Sequence, residues 1–127
     1  MNKKIYIGLA GKKGRGVFTS KKIKQGELIE VAPVVVLSEK DTRAVVKTGL
    51  YDYYFMWGEN DKQSAIGLGY ASIYNHSYKP NAAYTSQPED EILVYRAIRN
   101  IEAHEEITVN YNCDHDSRKK VWFKIAR

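Results

Sequence analysis

Asn75-His76-Ser77-Tyr78-Lys79-Pro80-Asn81 is the stretch on which the reading of this chain turns. Two asparagines, a histidine and a serine stand around a single proline. Short polar side chains of these types hydrogen-bond to nearby backbone and compete with regular structure, so the segment makes a rigid polar loop. Taken in isolation it is a structural turn. His76 has the chemistry of a metal ligand, but His104 and His115 offer no ligand spacing with it. Cys113 is the only cysteine, so no thiolate cluster can be built. The expected metal content is none.

Downstream, Glu105-Glu106-Ile107-Thr108-Val109-Asn110-Tyr111 opens on two carboxylates, runs through a short apolar strand and ends on a tyrosine. Alone, it is an edge strand with a charged start. Upstream, Tyr51-Asp52-Tyr53-Tyr54-Phe55 is dense in aromatics, which suggests core packing. Nearer the N-terminus, Lys13-Gly14-Arg15-Gly16 precedes Val17-Phe18. Glycines there permit positive φ and close approach of a ligand to the backbone. The third glycine and following helix of a dinucleotide-binding turn are missing, so a plain turn is the reading of this segment by itself.

The rest of the chain bounds the answer. With 127 residues it suffices for one domain, and 43% hydrophobic against 28% charged residues implies a packed core. The net charge of +5 permits contact with nucleic acid but does not argue for it. No apolar run approaches the roughly 20 residues of a membrane span, and Met1-Asn2-Lys3-Lys4-Ile5 lacks a signal peptide's apolar stretch. A soluble, cytoplasmic chain is expected, with secretion or nuclear action in a host left open.

Ten tyrosines, abundant Val and Ile, and short apolar runs broken by Gly, Pro, Asn and Asp predict a strand-dominated fold. Strands are expected near Ile5-Ile7, Val17-Thr19, Leu28-Val31, Val34-Leu37, Ala65-Gly67, Ala83-Thr85, Ile92-Ala97 and Glu106-Val109. Ser38 and Asp41 resemble a capping box opening a helix over Glu39-Lys47, with Gly49 as its stop. A second, amphipathic helix is expected over Ser117-Ala126.

The order of these segments says more than any one of them. A glycine pair before Val-Phe, a tyrosine-bearing aromatic segment, N-H-S-x-x-P-N and then E-E-I-T-x-x-Y together resemble the SET domain of protein-lysine methyltransferases. The resemblance runs from about Tyr6 to Tyr111, and the short span between Val36 and Ala65 makes it similar to the minimal bacterial and viral members. It implies a mainly β fold of the β-clip type, with several small sheets, one or two short helices and a C-terminal pseudoknot. Residues 1–127 would form one SET domain, with a core over about 5–111 and a closing segment over 112–127.

The resemblance also implies a chemistry. SET domains carry a methyl group from S-adenosylmethionine through a narrow channel to a lysine amine. By that pattern Lys13, Gly14, Arg15 and Gly16 contact the methionine part of the cofactor, Asn75 binds its amino group, and the backbone of Asn75 and His76 reads the adenine edge. Tyr111 would stand at the channel with Tyr53 and Tyr84, Tyr6 being a further candidate, and Trp122 or Phe123 would cover the adenine. Only Cys113 follows Tyr111, so the cysteine-rich zinc cluster of many relatives cannot form.

The implied partner is a lysine-containing protein of histone, DNA-associated or ribosomal type, with no membrane and no nucleic acid. A homodimer is also expected, because minimal members lack the flanking regions that complete a substrate surface. The competing reading is a catalytically silent module that binds a basic peptide or nucleic acid. The presence of both Asn75 and Tyr111 favours the enzyme. Acidic stretches at Glu89-Asp90-Glu91 and Glu102-Glu105-Glu106 offer attraction for a basic peptide, although solvated turns explain them equally.

Overall fold

The computed structural model describes residues 4–58 and 61–111. Within them, short runs rich in β-branched and aromatic residues build nine strands: β1 (Ile5–Leu9), β2 (Arg15–Thr19), β3 (Leu28–Leu37), β4 (Tyr54–Trp57), β5 (Gln63–Gly67), β6 (Asn75–His76), β7 (Ala82–Gln87), β8 (Ile92–Ala97) and β9 (Glu106–Val109). They form a four-stranded sheet in the order β1-β2-β9-β6 and a five-stranded sheet in the order β4-β5-β3-β8-β7. The mainly β fold expected from the sequence is what the chain adopts.

Three expectations need correction. Leu28-Val31 and Val34-Leu37 are one strand, because Pro33 does not break it. A proline's φ suits extended backbone, Pro33 pairs with Ile92, and its carbonyl accepts from the Leu68 N–H at 2.9 Å. The helix α1 (Glu39–Val45) starts as predicted, with Ser38 Oγ accepting from the Asp41 N–H at 3.0 Å, but Gly49 does not stop it. The helix has ended by Val46, and Gly49 instead opens a 3-10 turn over Gly49–Asp52, capped by Thr48 Oγ1. Finally, Arg15 and Gly16 belong to β2 rather than to a turn. The helix predicted over Ser117-Ala126, and Trp122 and Phe123 with it, lies outside the described residues.

Strands β4 and β6 were not legible as strands. The aromatic run that leads into β4 hides its alternation, and β6 is two residues long, too short for any period to show. Yet β6 is the piece that matters most. It runs parallel to β9, with Asn75 opposite Thr108 and His76 opposite Val109, while the other edge of β9 pairs antiparallel with β2. Ile107 and Val109 are fully buried there beside Val17. Asn81 clamps the crossing: its Nδ2 donates to Glu106 O at 2.8 Å and its Oδ1 accepts from Thr108 N at 2.9 Å. In this way two motifs distant in sequence are locked side by side, as the resemblance implied.

Candidate functional site

Two clusters meet where β6 lies against β9. The first forms around Gly16. Asn75 Nδ2 donates to Arg15 O at 2.9 Å and to Glu106 Oε2 at 2.7 Å. Both neighbours are acceptors, so the amide nitrogen must face them and Oδ1 is turned away as an acceptor. Glu106 Oε1 in turn receives Lys13 Nζ at 2.6 Å, a pair in which both side chains are more than two-thirds buried. A Cβ at Gly16 would stand 2.5 Å from Glu106 Oε2 and 2.9 Å from Asn75 Nδ2, so only glycine lets β2 approach these side chains. Gly14 just before it has φ of +80°, beyond the ordinary reach of residues with a side chain.

The second cluster is aromatic. Tyr111 N donates to His76 Nδ1 at 3.0 Å, which leaves that nitrogen without a proton, and the rings of His76 and Tyr111 lie 5.3 Å apart. The Tyr111 hydroxyl donates to the Tyr74 carbonyl at 2.5 Å, and the Tyr84 hydroxyl donates to the Tyr111 carbonyl at 3.4 Å. Tyr84 is buried, edge-on to Phe55 at 5.4 Å. Tyr53 is half-exposed, and its carbonyl accepts from Ser72 Oγ. Burial first, then the nearby Tyr53 and Glu106, pushes the Tyr111 phenol well above its ordinary value. Tyr74 is pushed the same way, by burial and then by Glu30.

Those two shifts have a measurable consequence. Above about pH 10, unfolded tyrosines ionise whereas folded Tyr74 and Tyr111 keep their protons. The native state then binds more protons than the unfolded one, so stability falls as pH rises through that range and is unaffected by these groups below it. Urea melts at pH 8 and pH 11 should show the loss. The Tyr111→Phe variant should show a shallower decline, and an equal decline would mean that Tyr111 ionises freely.

Of the predicted residues, the fold gathers Lys13, the Arg15 backbone, Gly16 and Asn75 in one place and His76, Tyr53, Tyr84 and Tyr111 in the adjoining one. Tyr6 is not brought among them: it stacks on Phe18 at 5.8 Å and its hydroxyl meets His104 Nδ1 at 3.0 Å, on the far edge strand β1. Glu105 and Glu106 are both engaged within the chain. Glu106 serves Asn75 and Lys13, and Glu105 accepts from Asn81 Nδ2 and Glu102 N. Sequence reasoning missed Glu106 as the partner of Asn75 and Glu30 as that of Tyr74. A carboxylate inside an apolar strand pattern was the available signal for Glu30.

Among the described residues, no group of three or more His, Cys, Asp or Glu is placed to hold a metal ion.

Comparisons with known proteins fall on the same residues. A family model for the SET domain matches residues 14–112. A histone-lysine N-methyltransferase of Schizosaccharomyces pombe, specific for lysine 37 of histone H3, is 32% identical over 114 residues, spanning 89% of this chain and 72% of the relative. The crystal structure of a Plasmodium falciparum candidate histone methyltransferase superposes with a TM-score of 0.68 at 31% identity, covering 85% of this chain and 96% of the other. A chain of a humanized mutant of the Chaetomium thermophilum Polycomb Repressive Complex 2, bound to the inhibitor GSK126, has a TM-score of 0.71. At 20% identity, with 87% of this chain and 15% of that one covered, it speaks for the fold alone.

Proposed function

We propose that this chain, which belongs to the SET-domain family of protein-lysine methyltransferases, uses S-adenosylmethionine as methyl donor and a basic, histone-like protein as substrate. The observation that carries the reading is the Asn75 amide. Its nitrogen is committed to Glu106 and Arg15 O, so its oxygen is available to an ammonium group. Gly16 lets β2 close onto the Asn75 and Glu106 side chains and so holds the amide in place, and the Lys13–Glu106 pair sets both signs of charge beside it for a zwitterion. These residues fit the methionine end of the cofactor.

S-adenosylmethionine, when bound, supplies an electrophilic methyl group on a sulfonium. The chain's own residues must deliver an amine to it. A free lysine has a pKa of about 10.4, so roughly one in a thousand is neutral at pH 7. A narrow aromatic channel around Tyr53, Tyr84 and Tyr111 disfavours the ammonium form by desolvation. It also holds the nucleophile in line with the reacting carbon, which supplies much of the rate. Tyr111 donates its proton to the Tyr74 carbonyl, which fixes the direction of its hydroxyl, and a phenolic oxygen so held can accept C–H···O contacts from a polarised methyl. Such C–H···O contacts are worth about 0.5–1 kcal/mol each. No ionisable general base is asked for, in keeping with a site of tyrosines.

The test is methyl transfer from labelled S-adenosylmethionine into core histones and a whole-cell lysate, with mass spectrometry of the labelled bands. Label on lysine supports the reading. Cofactor binding without transfer to any protein would favour the silent binding module. The proposed setting is the cytoplasm, and the second proposed partner is another copy of the chain. Sedimentation as a monomer at high micromolar concentration removes that partner.

Product multiplicity follows from Tyr84. Its hydroxyl lies against the main chain of Tyr111. With Tyr111 at the lysine channel as proposed, that hydroxyl would stand beside the amine and leave little room for a second methyl, so monomethyl-lysine is the expected main product. Tyr84→Phe should open space for a second methyl and raise the dimethyl fraction several-fold. Product-distribution mass spectrometry on a peptide checks this, and an unchanged ratio with normal folding would leave Tyr84 a packing residue only.

A further inference from the structure

Glu30 is a carboxylate on the inward face of β3, in the same phase as the buried Ala32 and Val34, and it is only 3% exposed. Among the described residues no lysine or arginine pairs with it. Both of its oxygens are instead taken by one loop: Oε1 accepts from the Tyr74 hydroxyl at 2.7 Å and Oε2 from the Tyr70 N–H at 3.0 Å. That loop is shaped around the carboxylate. Gly69 has φ of +61°, and a Cβ there would run into Glu30 Oε2. The register of β3 against β8 shifts between Leu28 and Glu30.

A buried carboxylate without a cation is a poor way to stabilise a core, since an apolar side chain of similar volume serves at least as well. What the carboxylate does secure is the placement of Tyr74. The Tyr74 ring stacks on Tyr95 at 4.3 Å, Tyr95 Oη donates to Ala71 O at 3.2 Å, and the Tyr74 carbonyl receives the Tyr111 hydroxyl. We infer that Glu30 is a positioning residue for methyl transfer: by pinning Tyr74 it fixes the carbonyl that orients the Tyr111 hydroxyl. The inference rests on the proposed role of Tyr111 and adds to it a residue that touches neither substrate nor cofactor.

The full chain labelled with carbon-13 at tyrosine Cζ separates the two ideas, with Tyr111 assigned by loss of its signal in Tyr111→Phe. In Glu30→Gln one oxygen becomes an amide nitrogen that cannot accept, so the loop loses one of its two ties. The Tyr111 resonance should move, and kcat on a lysine peptide should fall roughly tenfold with peptide KM little changed, since small misplacements of reacting groups are costly. Because Glu30 acts through the Tyr111 hydroxyl, Glu30→Gln should cost nothing more in a Tyr111→Phe background. A purely structural role would lower both backgrounds equally.

Should Glu30→Gln not fold, Tyr74→Phe removes only the hydroxyl and must move the same resonance. An unmoved Tyr111 signal in a folded variant, or full additivity with Tyr111→Phe, overturns the inference. A parent chain that transfers no methyl group at all would instead fail the functional reading, and the resonance would still decide whether Glu30 positions Tyr111.

Discussion

Replacing Tyr111 by phenylalanine should lower kcat by about a hundredfold, the scale seen when one pre-organised polar group is removed from a reaction centre. The backbone of Tyr111 is tied at its N–H to His76 and at its carbonyl to Tyr84, and its hydroxyl is tied to the Tyr74 carbonyl. The phenol therefore costs no reorganisation when the reaction occurs. Its raised proton affinity keeps it neutral, so in the proposed transfer its oxygen would meet the methyl as a hydroxyl and not as a phenolate. Phenylalanine keeps the ring and its packing against His76. Cofactor affinity should accordingly change little, and single-turnover kinetics would place the loss in the chemical step. Transfer at the parental rate in a folded Tyr111→Phe chain would remove Tyr111 from the mechanism.

The second large effect is on binding. Asn75→Ala should weaken S-adenosylmethionine binding by roughly 1–3 kcal/mol, or about five- to 150-fold, because a partly buried ammonium loses its acceptor. Asn75 is well suited to such selectivity, since Glu106 and Arg15 O dictate which way its amide points. Asn75→Asp should not restore binding, because the new carboxylate would face that of Glu106 and the Arg15 carbonyl with no hydrogen to give either. Titration calorimetry on the folded variants decides it. Unchanged affinity in Asn75→Ala would mean that the cofactor sits elsewhere.

What the sequence by itself determined was local in origin. Short apolar runs bounded by turn residues announced β2, β8 and β9, and Ser38 with Asp41 marked the start of α1, because strand propensity and caps depend on neighbours close along the chain. The ordered motifs around Gly16, Asn75 and Tyr111 then indicated the family. Tertiary structure decided the rest. Only the parallel pairing of β6 with β9 brings Asn75 to Glu106, and only the packing of the 70–74 loop on β3 joins Glu30 to Tyr74 and so to Tyr111. Neither contact leaves a periodic trace. A hydrogen bond between residues far apart depends on how whole strands pack, and a charge inside an apolar strand marks Glu30 as unusual without saying which residue meets it.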